Sequence, residues 1–331
     1  MTKRLMPDDF YTTDTASTKD VASRAVSAWK LDGEPSLIGR LENFTYQAGP
    51  IGRERIIRVT EPSHRSVAEL EAELDWVSFL SERGINVSAP TASDHGNLVE
   101  TFETADGPFY VSVFPKAPGR AFNFRRDWEP EFHRALGELI GSMHAATMVY
   151  SPPEGARRRI SWVDEIRDVG QFIPRNESVA RREFDTVMDW AEGLPTGPDR
   201  YGLVHFDLHF ANLFVDPPHT ITVFDFDDCQ YNWFASDLAV PILHALLSFE
   251  LPSKDPSQQD WFYGPLLDGY TKHMPVDDEW PRRMPGFVRL RRVDLFAWIC
   301  KLLDVDNLTD EWDVRAMRRI REGFNNREPL W

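Results

Sequence analysis

The feature that most restricts the fold is "GLVHFDLHFANLFV" at 202–215, followed one turn later by "TITVFDFDDC" at 220–229. Both runs are strongly apolar, yet they carry aspartates, an asparagine and histidines. A surface loop has no use for Leu203, Val204, Phe206, Leu208, Phe210, Leu213 and Phe214 together. A plain core strand would not carry Asp207 and Asn212, because an unpaired buried carboxylate or amide is costly. The sequence therefore predicts a rigid, half-buried segment whose polar groups have work to do.

Asp216-Pro217-Pro218-His219 between the runs is a natural turn. If the flanking residues pair as a hairpin, Asn212 at the start of one strand lies near Asp225 at the end of the other. An amide oxygen and a carboxylate meeting there can share a hard cation such as Mg2+, which takes oxygen ligands and keeps waters. Asp207 lies five residues before Asn212. It can face the same point, orient a hydroxyl and accept its proton during phosphoryl transfer. His-x-Asp-x-x-x-x-Asn, then Asp-Phe-x at a hairpin's distance, is the arrangement of a kinase catalytic loop.

The rest of the chain divides in two. "KDVASRAVSAWKL" is mildly helical, and residues 35–62 read as strands joined by turns. Residues 63–84 have helical periodicity in Leu70, Leu74, Val77 and Leu80, with Ser63 or Ser66 as cap and Gly84 at the end. Residues 85–115 return to strand chemistry. From about 117 the pattern is mainly helical, with a long amphipathic helix within 128–150. The expected fold is α+β: a β-rich lobe over 1–116 with one bridging helix, then a mainly helical lobe over 117–331.

Hydrophobic residues make up 42% of the 331, enough for a substantial core. A formal net charge of −16 leaves no broad basic surface for nucleic acid. The Arg-rich pieces "ARRR" (156–159) and "RAMRRIR" (315–321) read as solvated faces. Two cysteines form neither a disulfide framework nor a metal site. No stretch reaches the ~20 apolar residues of a membrane span. The first residues lack a signal peptide's apolar core, so the expected location is the cytoplasm.

"VHFDLHFANLFV", "VFDFDDC" and "SDLA" together resemble the aminoglycoside phosphotransferase and choline-kinase superfamily, near type II homoserine kinases and the bacterial stress-response serine/threonine kinase. "LENFTYQA" is similar to that family's hairpin over the nucleotide, and "ELDWVSFLSERGINVSAP" to its lobe-bridging helix and following strand. The resemblance implies a bilobal protein-kinase-like fold and an ATP- and Mg2+-dependent phosphotransferase acting on a hydroxyl. Asp207 would be the catalytic aspartate, and Asn212 and Asp225 metal ligands. Asp227 would hold a second metal or the phosphate geometry, the alternative being a structural role. Asn43 and Arg58 would hold the triphosphate, and backbone groups around Phe114, Lys116 and Ala117 the adenine. Two positions depart from the family pattern. Phe206 stands where glycine is usual, and Arg58 replaces the lysine that usually meets the α- and β-phosphates.

Glu73 shares a helical stripe with Val77 and Leu80, so it leans toward the apolar side and wants a cationic partner, for which Arg58 is the candidate; the alternative is a surface-exposed Glu73. His205 is expected to brace the loop, and Asp237 to anchor it through backbone N–H groups. His209 is either structural or in reach of the substrate. "DFDDCQYNWFASD" resembles the choline-kinase stretch, so Asp228, Tyr231 and Trp233 would form an acidic, aromatic cradle for a cationic amine. The alternative is that Tyr231 and Trp233 simply pack. The acceptor is expected to be a small metabolite such as an amino alcohol, a hydroxy amino acid or an aminoglycoside-like compound. A protein serine or threonine is the alternative, and a nucleotide-binding pseudokinase is the rival reading. No oligomeric state follows.

Overall fold

The computed structural model describes residues 15–40, 42–248, 259–276, 279–309 and 311–325. The expectation about the chain's first residues therefore falls mostly outside the described residues.

Five strands form an antiparallel sheet: β1 (Ser36–Arg40), β2 (Phe44–Ala48), β3 (Arg55–Thr60), β4 (Glu100–Thr104) and β5 (Gly107–Pro115), in the order β1-β2-β3-β5-β4. Alternation sets its faces. Phe44, Tyr46, Ile57, Val59, Phe109, Val111 and Val113 are buried against Val21, Ala22 and Ala25 of α1 (Thr15–Ala28) and the adjoining Trp29. Arg58 lies in the same strand as Ile57 and Val59 but points to the other face, toward α2 (Val67–Glu82).

Helix α2 starts where its chemistry says it should. Ser66 Oγ accepts from the Glu69 amide at 3.4 Å, and Glu69 returns a carboxylate to the Ser66 amide at 2.9 Å, closing a capping box. Its inner side carries Leu70, Leu74, Trp76, Val77 and Leu80, and also Glu73. Trp76, Val77 and Leu80 belong to the core of the helical region, so α2 joins the two halves. A second tie is the parallel bridge between Val87 and Val223.

After β5 the chain leaves the first sheet. β6 (Arg120–Ala121) pairs with β8 (Leu213–Asp216), which pairs with β9 (Thr220–Val223) in the expected hairpin. β7 (Tyr201–Val204) pairs with β10 (Gln230–Trp233). Around these strands lie α3 (Phe124–Asp127), α4 (Pro130–Thr147), α5 (Trp162–Gly170), α6 (Ser178–Glu192), α7 (Phe234–Leu247), a π-helical turn (Gln259–Tyr263), α8 (Gly264–Tyr270), α9 (Trp280–Leu302) and α10 (Glu311–Asn325). Helices α4 and α8 meet backbone to backbone: a Cβ on Gly137 would lie 1.8 Å from the Leu266 carbonyl oxygen. The architecture is the expected α+β kinase-like one, with a β-sheet lobe and a helical lobe.

One expectation fails here. Arg159, the last arginine of "ARRR", is buried rather than solvated. It donates to the carbonyls of Glu69, Asp227 and Cys229, tying α2 to the segment after β9.

Candidate active site

The catalytic loop is held by a chain of hydrogen bonds that starts at Asp237 in the first turn of α7. Its carboxylate accepts from the amides of His205 at 2.9 Å and Phe206 at 2.6 Å, and from His144 Nε2 at 3.1 Å. Asp237 is fully buried. Burial alone would raise its carboxyl, but His144, His205 and the Phe206 amide hold it below the usual range. His205 donates from Nε2 to the Phe224 carbonyl at 3.1 Å and accepts the Asp207 amide on Nδ1 at 3.3 Å, linking the loop to the end of β9. Phe206 has φ +66° and Asp225 φ +69°, so the left-handed region brackets the hairpin on both sides.

Both oxygens of Asp207 are occupied. Asn212 Nδ2 donates to Oδ2 at 2.9 Å and to the Asp207 carbonyl at 3.0 Å. His209 Nε2 lies 3.3 Å from Oδ2, and Arg291 of α9 donates to Oδ1 at 2.7 Å. Burial would raise this carboxyl, but His209, Arg291 and His244 outweigh it and keep Asp207 ionised, well below the usual carboxylate range. With Nδ2 of Asn212 committed, its Oδ1 is the atom left for a metal. That oxygen and the Asp225 carboxylate are hard donors that fit Mg2+.

On the sheet side, Arg58 and Glu73 make a bidentate pair with two 2.8 Å hydrogen bonds, both residues buried. Burial would lower the guanidinium's pKa, but Glu73 and Asp227 more than reverse it. Arg58 also lies 5.1 Å below the Phe114 ring.

A cleft of about 680 Å³ runs between the two regions. Thr45, Gln47, Ile56 and residues 114–117 line one end, Arg58, Glu73 and Asp225 the middle, and His209 and His244 the stretch beside Asp207. Beyond the histidines it continues along Leu295 and Ile299 of α9 and Ala316 and Ile320 of α10. Phe114, Lys116 and Ala117 thus share one wall, with Lys116 Nζ 3.4 Å from Glu54.

Several expected residues lie elsewhere. Asn43 uses its side-chain oxygen to accept from Thr60 Oγ at 2.6 Å and so braces the β2–β3 edge. Asp227 is already neutralised: His64 Nε2 donates at 2.6 Å, and Arg65 and Arg58 lie at 3.7 and 3.8 Å. Held by His64 and flanked by the Arg58 and Arg65 guanidiniums, it joins α2's entry and β3 to the loop. Trp233 packs against Trp162, Tyr201 and Phe287, and its indole donates to the Pro195 carbonyl at 2.8 Å. Tyr231 sits on β10 under the Arg158 guanidinium at 4.0 Å. Neither aromatic lines the cleft, so the amine cradle is not formed and the packing alternative holds. Only Asp228 of that trio stays near Asp207. It pairs with Arg65 at 3.1 Å, while burial, Glu42, Asp207 and Asp227 push its carboxyl well up.

The structure adds residues that were not expected. Arg291, Asp294, His64, Arg65, His244 and Glu42 all converge on the aspartates. Glu42, in the β1–β2 turn, is pushed up to about 7 by burial and by Asp227. Its neighbour Asn43 drew attention to that turn, but no pattern in the sequence distinguishes Glu42 itself.

The profile of the phosphotransferase enzyme family matches residues 36–272. The chain is 29% identical over 292 residues to the amicoumacin kinase of Bacillus subtilis (strain 168), covering 87% of this chain and 86% of that protein. Among solved structures it superposes on an amicoumacin kinase, hAmiN, in complex with AMP-PNP, Ca2+ and Ami. The TM-score is 0.85 and the identity 28%, over 97% of this chain and 96% of that one. A microcompartment-associated aminopropanol kinase follows at TM-score 0.73 and 27% identity, over 92% and 97%. Family match, whole-length similarity and a kinase-like cleft agree: this chain belongs to the phosphotransferase enzyme family.

Proposed function

We propose that this phosphotransferase moves the γ-phosphoryl group of ATP to a hydroxyl of a small, amine-bearing molecule with an apolar body. The observation that carries the reading is the continuity of the cleft, whose lining includes residues 114–117, Arg58 and Asp225, His209, which lies 3.3 Å from Asp207, and apolar residues of α9 and α10. Its size is that of a small-ligand site.

Adenine would lie against residues 114–117, with Arg58, oriented by Glu73, on the phosphates. Asn212 and Asp225 would hold Mg2+, which when bound neutralises phosphate charge. Asp207 would orient the acceptor hydroxyl and take its proton. Catalysis then rests on alignment and electrostatics. The buried Arg58–Glu73 pair supports an active enzyme over a pseudokinase, because arginine here has the carboxylate partner that lysine would use.

The amine is supported by the excess of carboxylates around Asp207. Glu42 and Asp228 are pushed up by burial and by neighbouring carboxylates, with Arg65 paired to Asp228, so a substrate ammonium would relieve their mutual repulsion. An aminopropanol kinase among the similar structures points the same way. The apolar arm favours a body larger than aminopropanol, in the direction of amicoumacin. ATP dependence and two free cysteines suit the cytoplasm, and no described helix is long and apolar enough to cross a membrane.

The test is ADP release from Mg-ATP with amicoumacin, aminopropanol, homoserine, choline and a generic protein as acceptors. The reading predicts stimulation by amine-bearing alcohols, greatest for those with an apolar body, and its loss in Asp207→Asn. Stimulation by the protein alone would overturn it.

A further inference from the structure

Arg291 lies 84 residues from Asp207 in sequence, on the inner face of α9, and its guanidinium is buried. NH2 donates to Asp207 Oδ1 at 2.7 Å and NH1 to Asp294 Oδ2 at 2.7 Å. The guanidinium stacks 4.7 Å from the ring of Phe206, the residue in the left-handed conformation just before Asp207. We propose that Arg291 is a positioning residue for the transfer, fixing the Asp207 carboxylate so that a single lone pair is left facing the acceptor hydroxyl.

The geometry supports this in three ways. An ionised carboxylate has about four lone-pair positions. On Asp207, Arg291 takes one on Oδ1, while Asn212 and His209 take two on Oδ2. Only one position remains, so the acceptor oxygen has one direction of approach. Second, Asp294 is almost fully buried and already pairs with Arg291 at 2.7 Å. The reach to Asp207 is therefore additional to what burying an arginine requires. Third, the planar fork has a contact on each of its working edges and a ring against its face, which fixes its orientation as an ammonium could not. Phe206 supplies that ring from a left-handed backbone conformation that disfavours a non-glycine residue.

The inference rests on Asp207 being the group that meets the acceptor, and the test separates the two. Steady-state ADP release from Mg-ATP would be measured for wild type, Arg291→Ala, Arg291→Lys, the double variant Arg291→Ala/Asp294→Asn and Asp207→Asn. The acceptors would be the most active member of the panel above and water alone. The double variant removes the carboxylate that Arg291→Ala would strand, so it folds if stranding is the only obstacle. Expected are a fall in kcat of about 100-fold, the scale of a 1 Å misplacement, an unchanged KM for ATP, and at least tenfold recovery of kcat with millimolar guanidinium. Arg291→Lys should fall between alanine and wild type. A folded alanine or double variant with wild-type kcat overturns the proposal, as does a loss carried by KM for ATP or one that guanidinium leaves unchanged. If Asp207→Asn keeps wild-type turnover, the reading of Asp207 itself fails, whatever Arg291 does.

Discussion

Replacing Glu73 by alanine should cost more than any other single change on the sheet side of the cleft. Arg58 and Glu73 are 5% and 1% exposed and joined by two 2.8 Å bonds, so the mutation strands a buried guanidinium. Breaking a buried pair from one side costs about 3–5 kcal/mol. Asp227, 3.8 Å from Arg58, takes over part of the charge and places the expected loss near the lower end, about 3 kcal/mol. At about 2 °C per kcal/mol for a chain this long, the melting temperature should drop by roughly 6 °C. Phosphate affinity should weaken as well, because the guanidinium would turn toward Asp227. Thermal melts followed by circular dichroism, with and without Mg-ATP, read both effects. The double variant Arg58→Met/Glu73→Leu isolates the chemistry. It should recover most of the stability, since well-packed apolar replacements of buried pairs are often neutral or better, yet it should bind ATP poorly. A Glu73→Ala protein that melts within 1 °C of wild type and binds ATP normally would refute the argument that this pair is both a structural and a phosphate-binding element.

His133 on α4 is boxed by Trp128, Phe132 and Phe262, donates from Nδ1 to the Trp261 carbonyl at 2.8 Å, and has no partner for Nε2. Burial lowers its pKa to about 4. The unfolded chain thus binds the extra proton first, and stability should be lost as pH falls from about 6.5 to about 4, by up to about 3 kcal/mol. Denaturant melts across that window should flatten in His133→Asn. Phe206→Gly relieves the left-handed strain but removes the ring beneath Arg291, so kcat should fall while KM for ATP holds in steady-state assays. Asp237→Asn weakens charge-assisted bonds to two loop amides at about 1.5–3 kcal/mol each, and a melt should drop together with kcat. Trp233→Phe should lower the melting temperature yet leave the acceptor KM unchanged, since Trp233 packs outside the cleft.

What could be read in the sequence was whatever depends on near neighbours. The hairpin of β8 and β9 follows from two apolar runs and a Pro-Pro turn. The inward lean of Glu73 follows from helical spacing, and its partner had to be a cation on the strand beside it. Asp237 could be expected as an anchor because "SDLA" resembles the family's later aspartate motif. Arg159, Arg291 and His64 were invisible for the opposite reason. Each contacts its aspartate or a carbonyl from 68 to 163 residues away, and nothing local marks an arginine in "ARRR" or "LRRVD" as buried. Asn43 and Trp233 misled because polar and aromatic side chains in a functional stretch can equally satisfy a strand edge or fill a core.

The two left-handed residues show why the polar groups need so apolar a setting. Phe206 and Asp225 turn the backbone sharply on either side of the β8–β9 hairpin, and isolated residues do not hold that conformation. Here Asp237 grips the amide of Phe206, and His205 spans from the Asp207 amide to the carbonyl of Phe224, just before Asp225. Leu203, Val204, Leu208 and Leu213 seal these bonds from water, each 2% exposed or less. In that low-dielectric setting the bonds strengthen, and a missing partner becomes expensive. The same burial would raise the Asp207 carboxyl and spoil it as an anion, which is why histidine and arginine neighbours must accompany it. Rigidity and ionisation therefore make opposing demands on this loop. The guanidinium that α9 supplies through Arg291 reconciles them: it lets Asp207 be both nearly immobile and charged when a hydroxyl arrives.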